Sequence, residues 1–137
     1  MAKICTSIEQ SKKLMELGID ITTADMCWCN ENDVITIPYI DSAITYCPSW
    51  SLSALLGLIK SEIYGENIYG DTVTYKVDFR KYKFTDDIDL YQIAYGSIKF
   101  DVDGQYSFKD MVNTGEKENL IDAAFQMVVW LKENNKI

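Results

Sequence analysis

Thiols and carboxylates carry most of the chemistry open to this chain, whose 137 residues include four cysteines, 21 aspartates and glutamates, and no histidine. Without an imidazole there is no Ser-His or Cys-His nucleophile pair, no histidine-ligated zinc and no imidazole general base. Cys5, Cys27, Cys29 and Cys47 could together make an all-thiolate zinc site. Structural zinc sites, however, favour cysteine pairs two to four residues apart. A single residue separates Cys27 from Cys29, and neither Cys5 nor Cys47 has a close partner. Small buried thiols are the simpler expectation, with no metal or other cofactor.

Three other groups have function written into their residue types. Asp86, Asp87 and Asp89, if adjacent strands brought them to Asp101 and Asp103, would bind a divalent cation or share a proton. Asp101-Val102-Asp103-Gly104 lacks the third acidic position and the distal Glu of an EF-hand loop, and turn formation explains Asp103-Gly104 without a metal. Arg80-Lys81-Tyr82-Lys83-Phe84 interleaves cations with aromatics, as the groove of a single-strand nucleic-acid binder does. The alternative is a solvated edge strand whose lysines block strand addition. Trp28 and Trp50 lie in a loop and at the start of a helix. There an indole is either an anchor for a partner or a hydrophobic staple. These candidates do not add up to a catalytic constellation.

Composition narrows the classes further. A hydrophobic fraction of 47% with 25% charged residues is that of an ordinary folded domain, and the length suits one compact domain over 1–137. The formal net charge of −8 argues against a large nucleic-acid face, which needs a basic surface. It leaves open nucleic-acid mimicry or docking onto a basic partner. The first residues show no export signal, and no run approaches the ~18 apolar residues of a membrane span. A cytoplasmic protein with reduced thiols is expected.

The elements that position these residues can be read in chain order. Ser7-Ile8-Glu9-Gln10 fits a capping box, and the periodicity predicts a helix over 8–17 stopped by Gly18. Thr22 or Thr23 is expected to cap a short turn through Ala24, Asp25 and Met26. Asn30 to Asp33 is a turn cluster, and Val34 to Ile37 a short strand ended by Pro38. Residues 39–46 read as either strand or loop. Leu52, Leu55, Leu56 and Ile59 share a helical face behind an N-cap at Ser51, with Trp50 and Leu55 in the staple positions. Losing that cap should cost about 1 kcal/mol, and losing a buried Trp50 ~3–5 kcal/mol.

Thr72 to Arg80 alternates cleanly as a half-buried strand. Tyr82 and Phe84 change parity, which predicts a bulge or break at Arg80-Lys81, and a second parity change predicts a bulge at Gly96-Ser97. Asp103-Gly104 marks a hairpin. Keeping Phe100 and Val102 on the face of Tyr106 and Phe108 requires a loop of odd length. In Leu120 to Leu131 only Asp122 and Gln126 are polar, too wide an apolar surface for a helix lying on the outside. The expected class is α+β: an antiparallel sheet of about four strands with about three helices packed on it, the C-terminal helix central. Tyrosines on both sheet faces leave room for a second copy to close one of them.

Three stretches are also similar to a known group. They are Thr6 to Gly18 with Thr23-Ala24-Asp25-Met26, then Pro48 to Leu56, then Asp122-Ala123-Ala124-Phe125 with Met127 to Leu131. On these the chain resembles the short uncharacterised proteins of gut Bacteroidales and of their phages and mobile elements. The resemblance carries no activity and no site residue. It implies a bacterial cytoplasm and a mobile element as the setting. Together these features favour a non-enzymatic accessory or regulatory protein that binds an unidentified protein partner. The alternative is a nucleic-acid module using Arg80, Lys81 and Lys83 with Tyr82 and Phe84. An aspartate-metal enzyme is a third class.

Overall fold

A computed structural model describes residues 3–36 and 47–137, and within them the chain is α+β, with three α-helices and two antiparallel sheets. The C-terminal helix, α3 (Leu120–Glu133), starts where the Asn119 side chain accepts a hydrogen bond from the Asp122 amide at 2.8 Å. Ile121, Ala123, Ala124, Met127, Val128, Val129 and Leu131 are all buried, on several sides of the cylinder. They share one apolar cluster with Leu14, Leu55, Ile63, Ile93 and Tyr95. Each large side chain among them contributes about 1.5–3 kcal/mol by leaving water. This helix is the hub, as its composition requires.

Two shorter helices enclose it. In α1 (Ile8–Glu16) the Ser7 hydroxyl accepts from the Gln10 amide at 3.1 Å, and the Gln10 side chain accepts from the Ser7 amide at 3.0 Å. Gly18 takes the left-handed conformation, φ +85°, that ends the helix, and Ile19 then buries itself. In α2 (Leu52–Leu58) the Ser51 hydroxyl caps the Ala54 amide. This helix ends sooner than its periodicity suggests, because Ile59 is already extended.

A four-stranded antiparallel meander follows: β4 (Glu62–Glu66), β5 (Thr72–Lys83), β6 (Asp89–Phe100) and β7 (Tyr106–Asn113). Strand β4 is not evident in the sequence, because Ile63 is its one buried apolar side chain. The expected break at Arg80-Lys81 does not occur: β5 stays in register with β6 as far as Lys83 opposite Asp89. Beyond Val77 even the inward-facing Phe79 is 49% exposed, so the parity of the aromatics no longer reports a buried face. The bulge expected at Gly96-Ser97 is not in β6, where alternation runs unbroken and Ile98 and Phe100 simply face the other side from Ile93 and Tyr95. An irregularity is found one step earlier and on the neighbouring strand. The register shifts between Tyr95 and Gly96 and leaves Met111 of β7 as the extra residue. The β6–β7 loop is of odd length, Val102-Asp103-Gly104, and sets Phe100 beside Tyr106.

A second sheet, in the order β2 (Val34–Thr36), β1 (Met26–Trp28), β3 (Cys47–Ser49), packs beside α1. The expected strand at Val34 belongs here and not to the larger sheet, and Ile37 with 39–46 lies outside the described residues. The short turn before β1 is capped by Asp20, not by Thr22 or Thr23.

Segments far apart in the sequence meet in space. Thr6 Oγ1 lies 2.7 Å from Ser11 Oγ and 3.0 Å from Ser49 Oγ, all three buried. The Trp50 indole donates to Thr23 Oγ1 at 2.9 Å, and Asp25 accepts from both the amide and the hydroxyl of Ser51. Asp122 of α3 accepts from Lys3 and Gln10. Those contacts form a polar knot tying the N-terminal segment, α1, α2 and α3 together.

Candidate functional site

Alternation along β5 and β6 gives the larger sheet two unlike faces. Val77, Ile93 and Tyr95 turn inward to the α3 cluster. The intervening residues turn outward, where no described element covers them. Tyr82 of β5, Ile98 and Phe100 of β6, and Tyr106 and Phe108 of β7 are exposed there, Phe100 and Tyr106 by 74% and 71%.

At the centre of this outer face sits a fixed ion pair. Arg80 Nη1 donates to Asp110 Oδ2 at 2.9 Å and Nη2 to Asp110 Oδ1 at 2.5 Å, across the intervening strand. Its Nε donates to Asp78 at 2.7 Å and Nη1 also to Gln92 at 3.2 Å. The Phe108 ring lies 5.5 Å from the guanidinium carbon, within cation–π range. The reach across β6 is open because Ala94 and Gly96 stand there. The Phe108 ring lies so close over Gly96 that a Cβ at that position would be 2.4 Å from it. Hydrogen bonds from Arg80 hold the Asp110 carboxyl below its ordinary pKa, and Asp110 in turn raises that of Arg80.

The basic stretch is divided by the same alternation. Arg80 and Tyr82 are on the outer face, whereas Lys81 and Lys83 are on the other. Lys81 lies 3.5 Å from Asp89 and 5.8 Å from the Tyr91 ring centre. Phe84 is exposed in the hairpin beyond. Arg80, Lys81 and Lys83 therefore do not form one cationic surface, and two carboxylates already match Arg80.

Trp50 is fully buried, so it serves as a core staple and offers nothing to a partner. Trp28 is half-buried, with its indole donating to the Thr6 carbonyl at 3.0 Å. It borders a shallow groove of about 430 Å³ with Ile4, Cys5 and Val34. The aspartate groups do not meet. Asp86, Asp87 and Asp89 lie at one end of β6 and Asp101 and Asp103 at the other, about 36 Å apart for twelve residues of extended chain. Asp101 accepts from the amides of Asp103 and Gln105, the work of a turn residue. Cys5, Cys27 and Cys47 are buried and Cys29 is exposed. Burial pushes the Cys5 and Cys47 thiols up. Among the described residues no group of three or more potential side-chain ligands is placed to hold a metal ion, and no helix is long and apolar enough to cross a membrane.

Sequence reasoning places Phe100 on one face with Tyr106 and Phe108, but misses Asp78, Gln92 and Asp110 and the joining of that face to Arg80 and Tyr82. The signal available for Asp110 was its shared parity with Tyr106 and Phe108. Comparison of the chain with family models, with curated proteins and with solved structures gives no match.

Proposed function

We propose that this chain is a binding protein that docks a protein partner on the outer face of its four-stranded sheet. The observation that carries this is the exposed set Tyr82, Ile98, Phe100, Tyr106 and Phe108 around the Arg80–Asp110 pair. Aromatic residues and a partly desolvated arginine are the residue types enriched at the energetic centres of protein interfaces. An open apolar patch of this kind on a folded domain otherwise costs solubility. The net charge of −8 favours a partner with a basic rim around its apolar centre. The setting implied by the resemblance, a mobile element in a bacterial cytoplasm, belongs to the same proposal, and the genes flanking the coding sequence check it.

The test is affinity capture from the host with the wild-type chain beside Ile98→Lys and Tyr106→Lys variants. Both side chains are exposed, so the variants should fold, which circular dichroism verifies. A partner retained by the wild type and lost from both variants supports the proposal. A partner retained equally by all three places the contact elsewhere and overturns it.

A further inference from the structure

The two central strands of the larger sheet part company before they end. β5 and β6 pair from Lys83 opposite Asp89 only as far as Lys76 opposite Gly96. Beyond that point residues 72–75 pair with β4 alone and residues 97–100 with β7 alone. The sheet forks into two ribbons, and the bulge at Tyr95/Gly96, which adds local twist, lies at the point of divergence.

The fork exposes backbone groups whose identity follows from the ladder. Along an antiparallel strand, successive residues direct their N–H and C=O to alternate sides. The Asn67 amide donates to the Asp71 carbonyl at 3.0 Å, which fixes the phase of the first ribbon; the Asp101 amide donates to the Gln105 carbonyl at 2.8 Å, which fixes the second. Stepping by twos, Thr72 and Thr74 turn their backbone groups away from β4, and Ile98 and Phe100 turn theirs away from β7. Both pairs look into the fork. In the ladder neither pair has a strand partner across the fork.

The cleft between the ribbons has a volume of about 260 Å³ and is lined by Val73, Tyr75, Ser97, Lys99 and Lys109, among others, with one carboxylate, Asp110, that is already bound by Arg80. Lys109 is opposite Ser97, so Lys99 is its diagonal neighbour on the same face. Among the described residues neither lysine has a carboxylate partner within ion-pair distance. Two unmatched cations beside a free strand edge are a specific feature in a chain this acidic.

We propose that the fork takes an extended acidic segment of another protein, added as a strand along residues 97–100 of β6. Its backbone pairs with Ile98 and Phe100, and acidic side chains at alternate positions face Lys99 and Lys109. The free edge is about 13 Å long, so about four residues of the segment are read. The proposal rests on the protein-binding function above and adds which piece of the partner is held.

The probe is the capped peptide Val-Glu-Val-Glu-Val, with Val-Lys-Val-Lys-Val and a backbone N-methylated form of the acidic peptide as controls. Binding is measured by titration, and amide exchange is followed by NMR. The acidic peptide should bind, slow exchange at Ile98 and Phe100, and lose at least tenfold in affinity on N-methylation or with Lys99→Glu plus Lys109→Glu. No binding of the acidic peptide, equal binding of the lysine peptide, or binding that leaves those two amides unchanged overturns the proposal. So does concentration-dependent protection of the same amides without peptide, which would assign the fork to a second copy. If the peptides fail while partner capture still depends on Ile98 and Tyr106, the fork is refuted and the sheet-face proposal stands; if that dependence is absent too, both fall.

Discussion

Arg80 and Asp110, thirty residues apart, are joined by two parallel hydrogen bonds that span β6 and fix β5 to β7. Two-point pairing of this kind is stronger and more directional than a single contact. Both side chains are mostly shielded, at 20% and 27% exposure, so solvent screens the pair less than a pair in open water. Asp110→Asn removes the charge and one acceptor. It should lower stability by about 1 kcal/mol, at the upper end for such pairs. Urea unfolding of the variant checks this, and an unchanged midpoint would mean the pair contributes nothing.

Asp122 links the N-terminal segment to α3 and sets a dependence on acid. Burial alone raises its pKa, but hydrogen bonds from Lys3 and Gln10, with the Lys3 charge and Asn119, outweigh burial and hold the carboxyl below its ordinary value. A carboxyl whose folded pKa lies under the unfolded value of about 3.9 stabilises the fold above that value, and this contribution disappears as pH falls through the folded pKa. Thermal unfolding at pH 7, 5 and 3 should show a smaller loss of stability on acidification for Asp122→Asn than for the wild type. Parallel losses would remove Asp122 from the account; Asp110, shifted in the same direction, contributes over the same window.

What was legible in the sequence is what short-range chemistry decides. Ser7 with Gln10, Gly18, Ser51 and the odd-length loop at Asp103 each act within a few residues, and each is where its type and spacing put it. The buried helix was legible because apolar residues ring it. The small sheet was not, since strands of three residues have no period and Cys27 opposite Pro48 is a long-range pairing. The outer face was hidden for a different reason. Arg80 meets Asp110 only because the bulge on β7 sets the register, and a slip of one residue would turn Asp110 to the other face. The fork depends on where pairing stops, which no local pattern encodes.

Gly96 tests that register directly. A Cβ built there would lie 2.3 Å from the Lys109 carbonyl oxygen and 2.4 Å from the Phe108 ring. The first obstacle is backbone and cannot swing aside. Gly96→Ala should therefore destabilise by about 1–3 kcal/mol through overpacking, with Phe108 displaced from Arg80. A melting temperature equal to the wild type would show that the two strands are further apart than this.

The polar knot predicts a division between the two tryptophans outside α3. Trp50→Ala empties a fully buried site and should cost ~3–5 kcal/mol. Trp28→Ala removes a half-buried ring and one hydrogen bond to a carbonyl, and should cost clearly less. Asp25→Ala deprives the Ser51 amide and hydroxyl of their acceptor at the start of α2, for about 1 kcal/mol. Chemical denaturation of the three variants ranks them, and a Trp28 variant as damaged as the Trp50 variant would contradict the placement of Trp50 in the core.

The thiols divide by exposure, and their reactivity reads out the small sheet. Cys29 is exposed after β1, while Cys5, Cys27 and Cys47 are buried. Burial pushes Cys5 and Cys47 up, so the reactive thiolate is scarce at those two positions as well as shielded. Titration of the native protein with a thiol-specific disulfide reagent near pH 8 should modify one cysteine quickly and the other three only on unfolding. Cys29→Ser should abolish the fast phase. Rapid modification of several thiols in the native protein would mean that β1 and β3 open readily, and the buried hydroxyl cluster of Thr6, Ser11 and Ser49 would then be reached by water as well.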